Sequence, residues 1–387
     1  MPLKASRRGD ISSFLVMDML RAANERAVSG EDVFHLELGE PSARVPSKVL
    51  EAARNIIGTG MPGYTESLGL PALRERISAY YRERENIAVP AQRIAITTGS
   101  SGAFILAFLA AFDVGDRVVL AAPGYPAYRN ILTALGVEPV LLSVGAKTRF
   151  QPTVELLDSL AQPVDGLIIA SPSNPAGTII DEESLAELCA YCAQKGIRLI
   201  SDEIYHGITF GPKAISALAF PTQGIVINSF SKYFAMPGWR LGWMVVPEDL
   251  LGSVERLAQN LFISAPGLSQ HAAIAVFDCL EELDVNVATY ARNREILLEG
   301  LPKAGFTKLA PADGAFYLYA DVSHLTDDSQ SFCTRMLAET GVAATSGIDF
   351  DPQLGGRFVR FSYAGPTRSM EEAVKRLKIW LSGSGKE

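Results

Sequence analysis

Gly224-Ile225-Val226-Ile227-Asn228-Ser229-Phe230-Ser231-Lys232 runs from an apolar stretch straight into a lysine, and Gly238-Trp239-Arg240 follows after a short loop. Consecutive apolar residues put greasy side chains on both faces of a strand, the pattern of a central parallel strand covered on both sides. A lysine just past the end of such a strand is costly to bury as a cation. Desolvation favours the neutral amine, and a neutral amine near neutral pH attacks carbonyl carbon. A lone loop lysine is more often an ordinary surface residue, so the weight falls on its surroundings.

Six further runs of the same texture flank this one: Arg93–Thr98, Arg117–Ala122, Glu138–Ser143, Gly166–Ser171, Gly196–Ser201 and Leu241–Val246. Helical patterns such as Ser101–Phe112 and Glu183–Lys195 lie between them. The alternation predicts an α/β fold, with a mostly parallel seven-stranded sheet between helices. Residues 11–28 read as an amphipathic helix, and Glu248–Gln259 and Leu268–Arg294 as long helical stretches. Towards the end the texture changes, with strands at Ala315–Ala320 and Arg357–Tyr363, a helix near Ser329–Thr340 and a terminal helix from Ser369. The expected organisation is a large domain over 41–290 and a smaller α+β domain built from both chain ends, 1–40 and 291–387.

The 387 residues are 48% hydrophobic and 20% charged, which excludes a disordered or fibrous chain and supports a large core. A net charge of −8 gives no electrostatic reason to bind nucleic acid. Asp18 interrupts the apolar run Phe14-Leu15-Val16-Met17, which argues against a secretion signal, and no stretch is long enough to span a bilayer. A soluble cytoplasmic protein without membrane partners is expected. Cys189 and Cys192 sit in a helical pattern with no second pair and no nearby histidine, so they read as small apolar residues rather than zinc ligands. No metal site is expected.

Open parallel sheets bind ligands beyond the carboxyl ends of their strands, which singles out five loops. Gly99-Ser100-Ser101-Gly102 turns from strand to helix and aims free N–H groups and the helix dipole at one point, an anion site of modest specificity by itself. GxGxxG and GxxxxGK[ST] are both absent, so a dinucleotide or nucleoside triphosphate is not favoured. Asp202 ends a strand, where a helix cap is the ordinary role of a carboxylate. Tyr205 three residues on, Asn174 on the neighbouring loop, Tyr125 as a stacking ring and Lys232 as nucleophile together fit pyridoxal phosphate (PLP).

At this point the chain resembles the class I/II aminotransferases of PLP fold type I, the aspartate aminotransferase-like group, over nearly its full length. The resemblance rests on Ser229-x-x-Lys232 with Gly238-Trp239-Arg240, Ser171-x-x-Asn174-Pro175-x-Gly177, Asp202-Glu203-x-Tyr205, and Arg360 in Phe358-Val359-Arg360-Phe361-Ser362. It implies that Lys232 carries PLP as a Schiff base and then shuttles the proton. Asp202 would keep the pyridine nitrogen protonated, Asn174 and Tyr205 would bond the phenolic oxygen, and Tyr125 would stack on the ring. Ser100, Ser101, Ser229 and Arg240 would hold the phosphate, with Tyr64 completing the site of the partner subunit in a homodimer. Arg360, with the Gly39 backbone and Asn174, would bind the substrate carboxylate. An arginine inside an apolar strand needs a planar anion; a salt bridge to a nearby Asp or Glu is the alternative.

Relatives that prefer aspartate or glutamate carry a second cation for the distal carboxylate. Phe262-Ile263-Ser264-Ala265-Pro266-Gly267 and Ser101 offer none here, which favours a neutral aromatic or aliphatic donor with pyruvate or 2-oxoglutarate as acceptor. A basic residue reaching in from Arg21, Arg26 or Arg44 would reverse that. The competing functions on the same scaffold are a carbon–sulfur β-lyase and, more remotely, a non-catalytic regulator. Ser229-x-x-Lys232 is also the penicilloyl serine transferase pattern, but its Ser-Asp-Asn and Lys-Thr-Gly partners are missing.

Overall fold

The computed structural model describes residues 3–60 and 63–383. All seven expected runs form strands: β1 (Ile94–Thr97), β2 (Arg117–Ala122), β3 (Glu138–Ser143), β4 (Gly166–Ala170), β5 (Arg198–Asp202), β6 (Ile225–Ser229) and β7 (Gly242–Val245). They make one sheet in the order β1-β7-β6-β5-β4-β2-β3. β7 runs antiparallel to β1 and β6, and the other pairs are parallel. The strands β4, β5 and β6, buried along nearly their whole length, occupy the centre, where helices cover both faces.

Side chains alternate between those faces, as strand geometry requires. Ile168, Ile200, Ile225 and Ile227 pack with Phe104 and Phe108 of one helix on one side. Leu167, Ile169, Leu199 and Val226 pack with Leu185, Leu188, Cys189 and Cys192 on the other. The two cysteines are therefore buried core residues, and among the described residues no group of His, Cys, Asp and Glu is placed to hold a metal.

The helices that matter to the site are α1 (Leu15–Val28), α2 (Gly99–Ala111) and α3 (Pro126–Leu135). The amphipathic stretch begins at Leu15 and not at 11, because Phe14 is extended and the Ser12 carbonyl is held by the Asn130 side chain at 3.2 Å. The stretch Leu268–Arg294 is not one helix. It divides into Gly267–Ile274, a 3₁₀ turn Ala275–Asp278 that buries Val276 and Phe277, and Leu280–Lys303. No described helix is long and apolar enough to cross a membrane.

A second, antiparallel sheet joins β8 (Lys308–Leu309), β9 (Tyr317–Asp321), β10 (Thr345–Ser346) and β11 (Phe358–Ser362) in the order β10-β11-β9-β8. Phe34–His35 pairs in parallel with Val342–Ala343, so the beginning of the chain is tied to its end. In register, Arg360 of β11 lies between Tyr319 of β9 and Thr345 of β10. That places its guanidinium where the second sheet meets the carboxyl ends of the first.

Candidate active site

A cavity of about 470 Å³ opens at the carboxyl ends of β4, β5 and β6, beside the start of α2. Ten of the twelve residues expected at a site line it: Gly39, Ser100, Ser101, Tyr125, Asn174, Asp202, Tyr205, Lys232, Arg240 and Arg360. Ser229 does not. Its hydroxyl lies 3.1 Å from the Leu241 carbonyl oxygen and 2.9 Å from Ser231 Oγ, and it is Ser231 that faces the cavity. Tyr64 is 84% exposed and lies outside the cavity of its own chain.

Lys232 Nζ donates to the Gly39 carbonyl oxygen at 2.6 Å, with the rings of Tyr205 and Phe316 each 5.9 Å away. Glycine at 39 is required by the close approach of Tyr317, since a Cβ there would fall 1.9 Å from the Tyr317 hydroxyl oxygen. Desolvation, followed by the nearby Arg360 charge, brings the Lys232 amine down to about 8. It is thus a far better nucleophile at neutral pH than a surface lysine.

Asp202 closes β5 and is 4% exposed. It accepts the Ile204 N–H at 3.1 Å, in keeping with a cap, and the Tyr128 hydroxyl on its other oxygen. Burial pushes its carboxyl up to about 6, against those two hydrogen bonds. A buried carboxylate without a cation bonded to it is matched by a ligand that brings a protonated nitrogen. Tyr205 shares a 2.7 Å hydrogen bond with the Tyr317 hydroxyl at the other side of the cavity.

Arg360 is 4% exposed, and among the described residues it belongs to no ion pair. Its guanidinium donates to Asn174 Oδ1 at 2.9 Å, to Thr345 Oγ1 at 3.3 Å and to the Glu37 carbonyl oxygen, all uncharged acceptors. Tyr317 and Phe350 sandwich it, with ring centroids at 4.4 and 4.7 Å, while Nε has no partner. The salt-bridge alternative is therefore not realised. A buried guanidinium in this state is short of an anion.

The other cationic corner is built on backbone. Gly99 opens α2 with φ +72°, and a Cβ on it would come within 2.7 Å of the Arg240 guanidinium. Thr98 gives no side-chain cap, so the first N–H groups of α2, from Ser100 and Ser101, stay available beside Arg240. A cation against an uncapped helix N-terminus suits a phosphate-sized anion.

Sequence reading missed Tyr128, in the first turn of α3 and three residues after the N-cap residue Tyr125, whose ring it meets edge-on with centroids 5.3 Å apart. It also missed Phe14, Val16, Met17, Leu38, Asp349, Phe350 and Tyr317 in the cavity wall. These carry no local motif. Of the three basic residues held in reserve, Arg21 pairs with Asp18 at 3.1 Å and Arg26 with Glu31 at 2.8 Å, while Arg44 lies in a separate surface depression. The cavity's basic side chains are Lys232, Arg240 and Arg360.

The fold and this constellation define a PLP enzyme of the transaminase kind, and residues 31–377 match the family model for aminotransferase class I and II. The chain belongs to that family, and it is a PLP-dependent aminotransferase that moves an amino group from an amino acid to a 2-oxo acid. It is 48% identical to the valine–pyruvate aminotransferase of Mycobacterium tuberculosis, over 98% of each chain. A (5-formylfuran-3-yl)methyl phosphate transaminase of Methanocaldococcus jannaschii is 34% identical, over 96% of this chain and 98% of that one. The crystal structure of an aminotransferase from Mycobacterium tuberculosis superposes with a TM-score of 0.97 at 48% identity, covering 99% of this chain and 100% of the other.

Proposed function

We propose that the enzyme takes a neutral, branched aliphatic amino acid such as valine as donor and a small 2-oxo acid such as pyruvate as acceptor. The observation that carries this is the part of the lining supplied by the chain entering α1 and by Leu38: Phe14, Val16, Met17 and Leu38 are apolar and no second cation stands among them. Arg360 takes up the α-carboxylate, and the side chain then meets hydrocarbon. An aspartate or glutamate side chain placed there would be desolvated without compensation. The 48% identical valine–pyruvate enzyme supports the same donor class.

When bound, PLP supplies an aldehyde for amine exchange and a ring that accepts the electron pair left at Cα. Arg240, Ser100 and Ser101 would hold its phosphate, with Ser231, which faces the cavity and is hydrogen-bonded to Ser229, as a further donor. Asp202 would hold a proton on the ring nitrogen, Asn174 and Tyr205 would bond the phenolic oxygen, and Tyr125 would stack on the ring. Lys232 would hold the cofactor through its amine, and the same amine is placed to move the proton at substrate Cα. Tyr317 and Phe350 keep the guanidinium of Arg360 flat for a two-point grip on the carboxylate.

The assembly read here is a cytoplasmic homodimer in which Tyr64 completes the partner's phosphate site, which accounts for so exposed a tyrosine. In that assembly each chain has a large domain over 41–290 and a small one over 1–40 and 291–387.

A donor panel tests the substrate class: kcat/KM for valine should exceed that for aspartate and glutamate by at least about 100-fold, the scale for leaving a buried polar group unpaired. Equal use of aspartate would overturn it. A second expectation concerns Asp202. Tyr128→Phe removes a hydrogen bond to a charged group, worth about 1.5–3 kcal/mol, so the Asp202 titration in the cofactor-free protein should rise by roughly one to two pH units. Carboxyl ¹³C NMR reads this directly, and an unmoved titration would show that Tyr128 does not tune the carboxylate.

A further inference from the structure

Phe14 is the N-cap residue of α1, and its side chain cannot accept a hydrogen bond, so the first N–H groups of the helix are left to other partners. They find one 333 and 334 positions away in sequence: Asp349 accepts the Leu15 N–H at 3.3 Å and the Val16 N–H at 3.2 Å, one on each carboxylate oxygen. Asp349 is 2% exposed, and among the described residues no ion pair includes it. Burial raises its carboxyl, while these two N–H bonds and the charges of Arg360 and Arg129 oppose that rise. A carboxylate against a helix N-terminus also gains from the dipole.

The turn that carries Asp349 touches three walls of the cavity at once. Its carbonyl oxygen accepts from Arg129 of α3 at 3.0 Å, and the carbonyl of the next residue, Phe350, accepts the Gly124 N–H at 3.1 Å. The Phe350 ring lies under Arg360. The carboxylate adds the third wall, because Phe14, Val16 and Met17 line the cavity only while the chain entering α1 stays where Asp349 holds it.

We propose that Asp349 is the positioning residue that pins Phe14–Met17 across the cavity and so sets which donor side chains the enzyme accepts. It touches the protein backbone and not the reacting atoms. The inference rests on the aliphatic-donor reading for the identity of the preferred donor, but the pin itself does not depend on it. Asp349→Asn presents one carbonyl oxygen and one NH₂ to two N–H donors, so one bond is replaced by an opposed pair of donors. Leu15→Pro is the milder second variant. It deletes one N–H at the first helical position, where proline is favoured, and the extended Phe14 before it, at ψ 113°, is compatible with a following proline.

Two measurements on the PLP-loaded enzyme decide it. Hydrogen–deuterium exchange across residues 14–18 should be slow in the wild type and accelerate at least about tenfold in Asp349→Asn. The ratio of kcat/KM for valine over alanine should fall about tenfold, mainly through KM for valine, since each lost methylene contact in an apolar pocket is worth roughly 10-fold or more. Leu15→Pro should move the ratio in the same direction by less. Unchanged exchange in Asp349→Asn overturns the proposal, and so does faster exchange with an unchanged ratio. A uniform loss for valine and alanine also overturns it, because that marks general damage. Should the wild type prefer acidic donors, the donor reading fails, and the exchange data together with the variant-to-wild-type ratio for those donors still judge the pin.

Discussion

Lys232→Ala should lower kcat by at least about 10⁴-fold, because one side chain supplies both the covalent attachment of the cofactor and the proton transfer, and the latter alone is worth about 10²–10⁴. The amine is prepared for this: desolvation and the Arg360 charge bring it down to about 8, and its Nζ sits 2.6 Å from the Gly39 carbonyl oxygen. Lys232→Arg should be as inactive, since a guanidinium keeps the charge but has no neutral form to attack a carbonyl. Borohydride should fix PLP covalently to wild-type Lys232 and to neither variant. A small primary amine added to Lys232→Ala should restore part of the rate, and it should not rescue Lys232→Arg, where the cavity is filled. A Lys232→Ala enzyme retaining more than about 1% of kcat would remove the lysine from the centre of the reaction.

Much of this was legible because the determinants are local. A strand of apolar residues needs no distant partner to be recognised, and the C-terminal edge of a parallel sheet is where strand ends and their loops converge. Hence Asn174, Asp202 and Lys232, each at or just past the end of a central strand, come together in one cavity. Where reading failed, the cause is long-range. Ser229 and Ser231 differ by two positions at a strand end, and only the turn beyond β6 decides which hydroxyl faces inwards. Nothing in Gly347-Ile348-Asp349 announces that its carboxylate caps a helix at the opposite end of the chain. The Phe14–Met17 stretch reads as the start of an ordinary amphipathic helix, and its role in the wall follows from tertiary placement alone. Leu268–Arg294 keeps a helical pattern through a real break, because a 3₁₀ turn of four residues disturbs apolar periodicity too little to register.

Arg360 provides the sharpest separation between stability and function. Arg360→Met should reduce kcat/KM for any amino acid donor by roughly 10²–10⁴-fold, the range expected when one partner of a desolvated charge pair of about 3–5 kcal/mol is lost. Most of the loss should fall on KM, since the carboxylate is held in ground state and transition state alike. Arg360→Lys should recover little, because an ammonium cannot keep both the Asn174 and Glu37 acceptors and a two-point grip on carboxylate. The folding cost should be small, under about 2 kcal/mol by denaturant titration: the hydrogen bonds to Asn174, Thr345 and Glu37 are lost, but no ion pair is broken, a desolvated cation is removed, Thr345 Oγ1 still donates to the Glu37 carbonyl oxygen, and methionine packs well against the Tyr317 and Phe350 rings. A loss of 3–5 kcal/mol would mean that a carboxylate of the protein already serves this guanidinium. A simple monocarboxylate such as propionate should raise the melting temperature of the wild type and leave Arg360→Met unmoved, since only the former offers a buried cation to the anion. If propionate stabilises both proteins equally, the carboxylate site lies elsewhere in the cavity, and the placement of the donor side chain against Phe14, Val16 and Met17 falls with it.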